Sequence, residues 1–308
     1  IGDITGDFIG NSADSGGAIC NFEGTIGNIT GNFIGNSAKY AGGAILNQGI
    51  RQTDNSQVPT SLADSDDSLE AMNNNVYSTV IGNITGNFIG NSANDSGGAI
   101  ANSNSAIGSI TGDFIANSAN NAGGAIANGG SAIDNITGDF IGNSAMSGGA
   151  IANGGSAIGS ITGDFVGNSA DYAGGAIYNF DGNQAVPGSL TPSDDSLEVM
   201  NNNAYSTVIG SITGNFIGNS ANDGGGAIYN TESAIGNITG DFIGNRTYRH
   251  GGAIYNDYDA IIGDIAGDFI GNGAKNYGGA IYNRGTIGDI TGSFVNNYSN
   301  YFGDNAFG

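Results

Sequence analysis

Lysine and arginine are scarce in this chain of 308 residues: six basic side chains face 28 acidic ones, a formal charge of −22. That balance excludes nonspecific binding to nucleic acid and opposes adhesion to anionic lipid. The one cysteine, Cys20, leaves no internal disulfide, so packing and backbone hydrogen bonds must hold the fold. No apolar run approaches the length of a membrane span. No signal peptide opens the chain, which starts in register with a repeat and so reads as a fragment of a longer protein. Leucine is rare too, with five in all and four of them inside insertions, whereas a leucine-rich repeat requires two or three per unit.

What the chain has in abundance is one stretch written again and again. IGDITGDFIGNSADSGGAICN, residues 1–21, recurs ten times, the copies beginning at Ile1, Ile26, Ile81, Ile107, Ile133, Ile158, Ile209, Ile235, Ile262 and Ile287. A fixed period in the twenties means a solenoid, in which each unit rests only on its neighbours. Ile4-Thr5-Gly6-Asp7-Phe8 alternates as a strand does, with Ile4, Gly6 and Phe8 on one face. A second strand is expected through Gly17-Ala18-Ile19, with the residues between Ala13 and Gly16 as the corner between the two. Coils of two or three short strands stacked at roughly 4.8 Å describe a parallel β-helix. The handedness rule for parallel crossovers makes it right-handed. The expected fold is therefore all-β, a right-handed parallel β-helix of about ten coils forming one domain over residues 1–308.

Two insertions interrupt it, at 47–80 and 180–208, and their cores SLADSDDSLEAMNNNVYSTV and SLTPSDDSLEVMNNNAYSTV are near copies at the same corner. Copies two to five and six to nine thus form a longer duplication. All three prolines (Pro59, Pro187, Pro192) fall inside the insertions, where no ladder hydrogen bond is lost. The spacing in Asp67-Ser68-Leu69-Glu70 and Asp195-Ser196-Leu197-Glu198 predicts one short helix in each. The acidic groups Asp66, Asp67 and Glu70, with Asp194, Asp195 and Glu198, are candidate partner contacts; they read as a solvated helix start, with no cofactor expected and a calcium site the alternative. Neither insertion fits an EF-hand loop.

Stacking turns every repeat position into a column of like residues. The asparagine column from Asn11 through Asn143 to Asn297 reads as a hydrogen-bonded structural ladder, and a second column follows GGAI from Asn21 to Asn283. The Asp7 column reads as a solvated acidic stripe, with bound cations the alternative. After GGAI, copies three to five carry Ala101, Ala127 and Ala152, but copies six to nine carry Tyr178, Tyr229, Tyr255 and Tyr282. Those four phenols should point outward as a column, either gripping a partner or shielding the ladder. Catalysis in a β-helix needs an acid and base in one groove, and only Arg246, Arg249, His250, Asp257 and Asp259 begin to supply one. His250 sits alone at a variable corner, so no enzyme is expected.

Phe-x-x-Asn stands in all ten copies, from Phe8/Asn11 to Phe294/Asn297, and Gly-Gly-Ala-Ile in nine, from Gly16 to Ile281. This pairing resembles the repeat of the chlamydial polymorphic outer membrane proteins and related bacterial autotransporter passengers. The resemblance implies a surface-exposed β-helical passenger, exported across the outer membrane by a C-terminal β-barrel and used in adhesion. Its expected partner is a protein or glycan on a host or neighbouring cell, with end-to-end or lateral self-association also open. The rival roles are a structural stalk and a polysaccharide-processing enzyme.

Overall fold

The computed structural model describes residues 1–50, 79–181 and 207–299. The helices expected in the insertions, and Asp66, Asp67, Glu70, Asp194, Asp195 and Glu198 with them, lie outside those residues. The described chain is an all-β parallel solenoid. Four parallel sheets run its length, with 15, 10, 10 and 9 strands, each copy laying its strands beside those of the copies before and after.

The coil from Ala106 illustrates the path. Ala106–Ile107 and Ile110–Thr111 belong to the first sheet, Phe114–Ile115 to the second, Ser118–Ala119 to the third and Ile126–Gly129 to the fourth. The expected two or three strands per coil are therefore four or five. ITGDF is not one strand but the end of one and the start of another, turned at a glycine such as Gly112, whose φ is 145°. Ile and Phe nevertheless both face inward, because the turn replaces the pleat that alternation assumed. Ser12–Ala13, just ahead of the expected corner, contributes a strand to the third sheet, and the GGAI strand begins only at its isoleucine, as in Ile19–Phe22.

Register is one to one. Phe114 pairs with Phe88 and Phe140, and the rings stack 4.8 Å apart within 2° of parallel. Ile107, Ile110, Phe114 and Ile126 are fully buried, and the same four positions repeat as one continuous core. β-Branched isoleucine suits this lattice because its restricted rotamers cost little further entropy in a strand.

Both asparagine columns are ladders. Asn143 Nδ2 donates to Asn168 Oδ1 at 3.0 Å, and Asn128 Nδ2 donates to Asn153 Oδ1 at 2.9 Å. The Asp7 column differs from the solvated stripe expected of it. Asp139 Oδ1 accepts the backbone N–H of Asp164 at 2.8 Å, and Asp113 Oδ1 that of Asp139 at 3.0 Å, so each carboxylate ties a corner to the next coil.

Candidate recognition surface

The fourth sheet presents its outward face between two corners, and three columns shape that face. The central one runs Cys20, Leu46, Ala101, Ala127, Ala152 and then Tyr178, in paired register throughout. It continues through Tyr229, Tyr255 and Tyr282. One flank is the corner column that includes Ser147, Ala173, Gly224, His250 and Tyr277. The other lies two residues past the centre and includes Ser103, Gly129, Gly154 and Phe180.

The tyrosines point away from the core, as alternation requires, yet they are not all open. Tyr229 and Tyr255 are only 8% and 7% exposed, packed on Ala173, whereas Tyr178 and Tyr282 at the ends of the column are half-buried. Their rings stack along the axis: Tyr229 and Tyr255 lie 4.5 Å apart and 5° from parallel. Gly224 makes room for them, since a Cβ there would meet Tyr255 Cδ2 at 2.9 Å. Burial raises the pKa of Tyr178, Tyr229 and Tyr255, that of Tyr178 to about 12.

A polar rim closes over the far end. Tyr229 Oη donates to Asp257 Oδ2 at 3.3 Å, and Arg284 Nη1 donates to Asp257 Oδ1 at 3.3 Å. The Arg284 guanidinium in turn lies 3.4 Å over the Tyr258 ring. Arg249 pairs with Asp223 at 2.7 Å. Of the residues weighed for catalysis, Asp257 thus has both oxygens engaged, while Arg246 and Asp259 stand exposed on a different sheet and corner from His250. Among the described residues no three His, Cys, Asp or Glu side chains gather as a metal site. No described helix is long and apolar enough to cross a membrane.

His250 is more than surface variation. Its ring stacks on Tyr277 at 5.2 Å and on Tyr282 at 4.9 Å, and its buried Nδ1 has no hydrogen-bond partner. Burial lowers its pKa, helped by Arg249 and Arg284 and opposed by Asp223. A histidine whose folded-state pKa is depressed disfavours folding as pH falls through its unfolded pKa of about 6.5. The parent should therefore lose stability relative to His250→Phe between about pH 7.5 and 5.5, the phenylalanine keeping the stack without the charge. Thermal melts of both at the two pH values read the difference; parallel shifts would place the imidazole in water.

Columns also show which residues the sequence concealed. Phe180, Arg284 and Tyr258 belong to this surface, but Phe180 and Arg284 stand where other copies have Ser103, Gly129 or Gly154, and Tyr258 lies in a copy longer by one residue. Aligning copies by register rather than by motif finds Phe180.

The architecture defines a parallel β-solenoid repeat protein with internal asparagine ladders. Four stretches, residues 163–179, 213–231, 240–257 and 267–284, match the family model of the Chlamydia polymorphic membrane protein repeat, so the chain carries at these sites the repeat its FxxN and GGAI motifs resemble. No curated protein and no solved structure matches the chain.

Proposed function

We propose that this chain is the surface-exposed passenger of a bacterial outer-membrane protein and that it works by adhesion, with the tyrosine-bearing face of coils six to nine as its contact. One observation carries the reading: the four matched repeats are the four coils whose GGAI is followed by Tyr178, Tyr229, Tyr255 and Tyr282. Stacked phenols with a polar rim offer rigid apolar area at low entropic cost, the composition that contact surfaces favour. Catalysis has no part in this reading.

The half-buried ends of the column pack on Tyr229 and Tyr255, so altering them uncovers part of those rings but leaves the isoleucine and phenylalanine core untouched. Fluorescently labelled protein is expected to attach to cultured epithelial cells or to extracellular matrix, and the double variant Tyr178→Ala, Tyr282→Ala to attach about tenfold less while melting within a few degrees of the parent. Attachment unchanged in the double variant would remove this face from the function. A parent that attaches to neither surface would leave the stalk as the better account of so regular a ladder.

A further inference from the structure

We infer that the alanine-lined half of the same face, in coils two to five, is a groove for the aromatic side chains of a cationic polypeptide partner. The inference concerns a different stretch of the rod from the tyrosine contact above and stands whether or not that contact is adhesive. A cavity of about 350 Å³ runs here along the rod axis. Leu46, Ala101, Ala127 and Ala152 form its floor. Ala41, Ser96 and Ala122 form one wall, and Gln48, Ser103, Gly129 and Gly154 the other.

The chain itself shows what such a groove holds. In coils six to nine the central column continues, flanked by Ala173, Gly224, His250 and Tyr277 on one side and by Phe180 and Thr231 on the other, and there the floor position is tyrosine and the space is occupied by its rings. Where the floor shrinks to alanine the rings are missing, and small residues form most of the walls. Phe180 marks the boundary: its ring stacks on Tyr178 at 4.6 Å and leans over Gly154, where a Cβ would come within 2.4 Å of Cζ. An incoming ring at coil five would thus meet an aromatic end wall.

The lining selects rings over sugars. Asn102 and Asn128 border the cavity, but Asn102 Nδ2 is spent on Asn128 Oδ1 at 2.9 Å and Asn128 Nδ2 on Asn153 Oδ1 at 2.9 Å. Only Ser96, Ser103 and Gln48 remain to meet polar groups, too few for a hydroxyl-covered ligand, whose unmatched groups would oppose binding. No charged residue lines the groove, while the chain carries −22 overall. Four of its six basic residues (Arg246, Arg249, Lys275 and Arg284) lie in coils eight and nine, Lys39 stands two residues from Ala41 at the coil-two end, and exposed Asp95 adjoins Ser96 on the wall. Electrostatic complementarity therefore points to a basic partner.

The test titrates the protein into a fluorophore-labelled hexapeptide of alternating lysine and phenylalanine, with lysine–alanine and glutamate–phenylalanine hexapeptides as controls, and reads anisotropy. The expected result is saturable binding of the lysine–phenylalanine peptide, at least about tenfold tighter than either control. Gly129→Leu fills the groove from a wall position where an added Cβ meets nothing within 4 Å and φ is not positive. It should abolish that preference with an unchanged melt. Ala101→Tyr with Ala127→Tyr is a second blocking variant, continuing the native tyrosine column. Equal binding of the lysine–alanine peptide, undiminished binding by the filled variants, or preferential binding of a neutral β-glucan oligosaccharide would each overturn the proposal.

Discussion

Gly124→Ala is expected to prevent the stack from closing between coils four and five, at a cost above about 4 kcal/mol, among the largest for a single methyl group. An ideal Cβ at Gly124 would lie 2.1 Å from Gly149 O and 2.6 Å from both Ser144 N and Ser144 O. All three are backbone atoms of the next coil, so no side chain can swing away, and relief requires separating two ladders. The same contact recurs at the second glycine of every other GGAI but the last, for example Gly43 with Gly98 O at 1.9 Å. Gly142→Ala is the control. Its φ is 63°, a region that costs an L-residue about 1–2 kcal/mol, but a Cβ there meets nothing within 4 Å. Ala116 already occupies that column at φ 53°. Circular dichroism melts should show Gly142→Ala slightly lowered and Gly124→Ala either unfolded or melting far below the parent. Near-equal melts would mean that the coils tolerate wider spacing than their backbone bonds imply.

The solenoid was legible because its period is carried by residues that stack on copies of themselves. Phe8 recurs at fixed offset from Asn11 in ten copies, and that offset needs no knowledge of the third dimension to be noticed. The number of sheets was not legible. Strands of two residues, such as Phe114–Ile115 and Ser118–Ala119, are too short to show a period, and corners at Gly112 and Ala116 fall inside what reads as continuous alternation. The same limit hid the role of the aspartate column: a carboxylate at a wet corner looks solvated until the neighbouring coil brings a backbone N–H within 2.8 Å, as at Asp139. Of the recognition surface, the tyrosine column was visible as a change from Ala152 to Tyr178, but its burial was not. That burial depends on Ala173 and Gly224 from a corner whose length varies between copies, so only register could align them.

Asn143→Ala should destabilise the protein several times more than Asp139→Ala, although the two side chains sit four residues apart and both bond to neighbouring coils. Asn143 is fully buried. Its Nδ2 donates to Phe114 O at 2.8 Å and to Asn168 Oδ1 at 3.0 Å, while its Oδ1 accepts Asn117 N at 2.9 Å and Asn117 Nδ2 at 3.0 Å. Truncation strands the Asn117 N–H, leaves Asn117 Nδ2 short of a partner and removes the donor to Phe114 O, all away from water. At about 1–3 kcal/mol for each stranded buried group, a loss of about 4 kcal/mol is expected even after some relaxation. Asp139 is half-buried, so the Asp164 N–H freed by its truncation can turn to solvent, and the cost should stay near 1 kcal/mol. Asp139→Asn separates the hydrogen bond from the charge: it retains the acceptor while removing a negative charge from between Asp113 and Asp164, and should melt at or above the parent. Thermal melts of the three variants in one buffer rank them. A larger loss for Asp139→Ala than for Asn143→Ala would mean that the coils are tied at the aspartate corner and that the buried amides merely fill space.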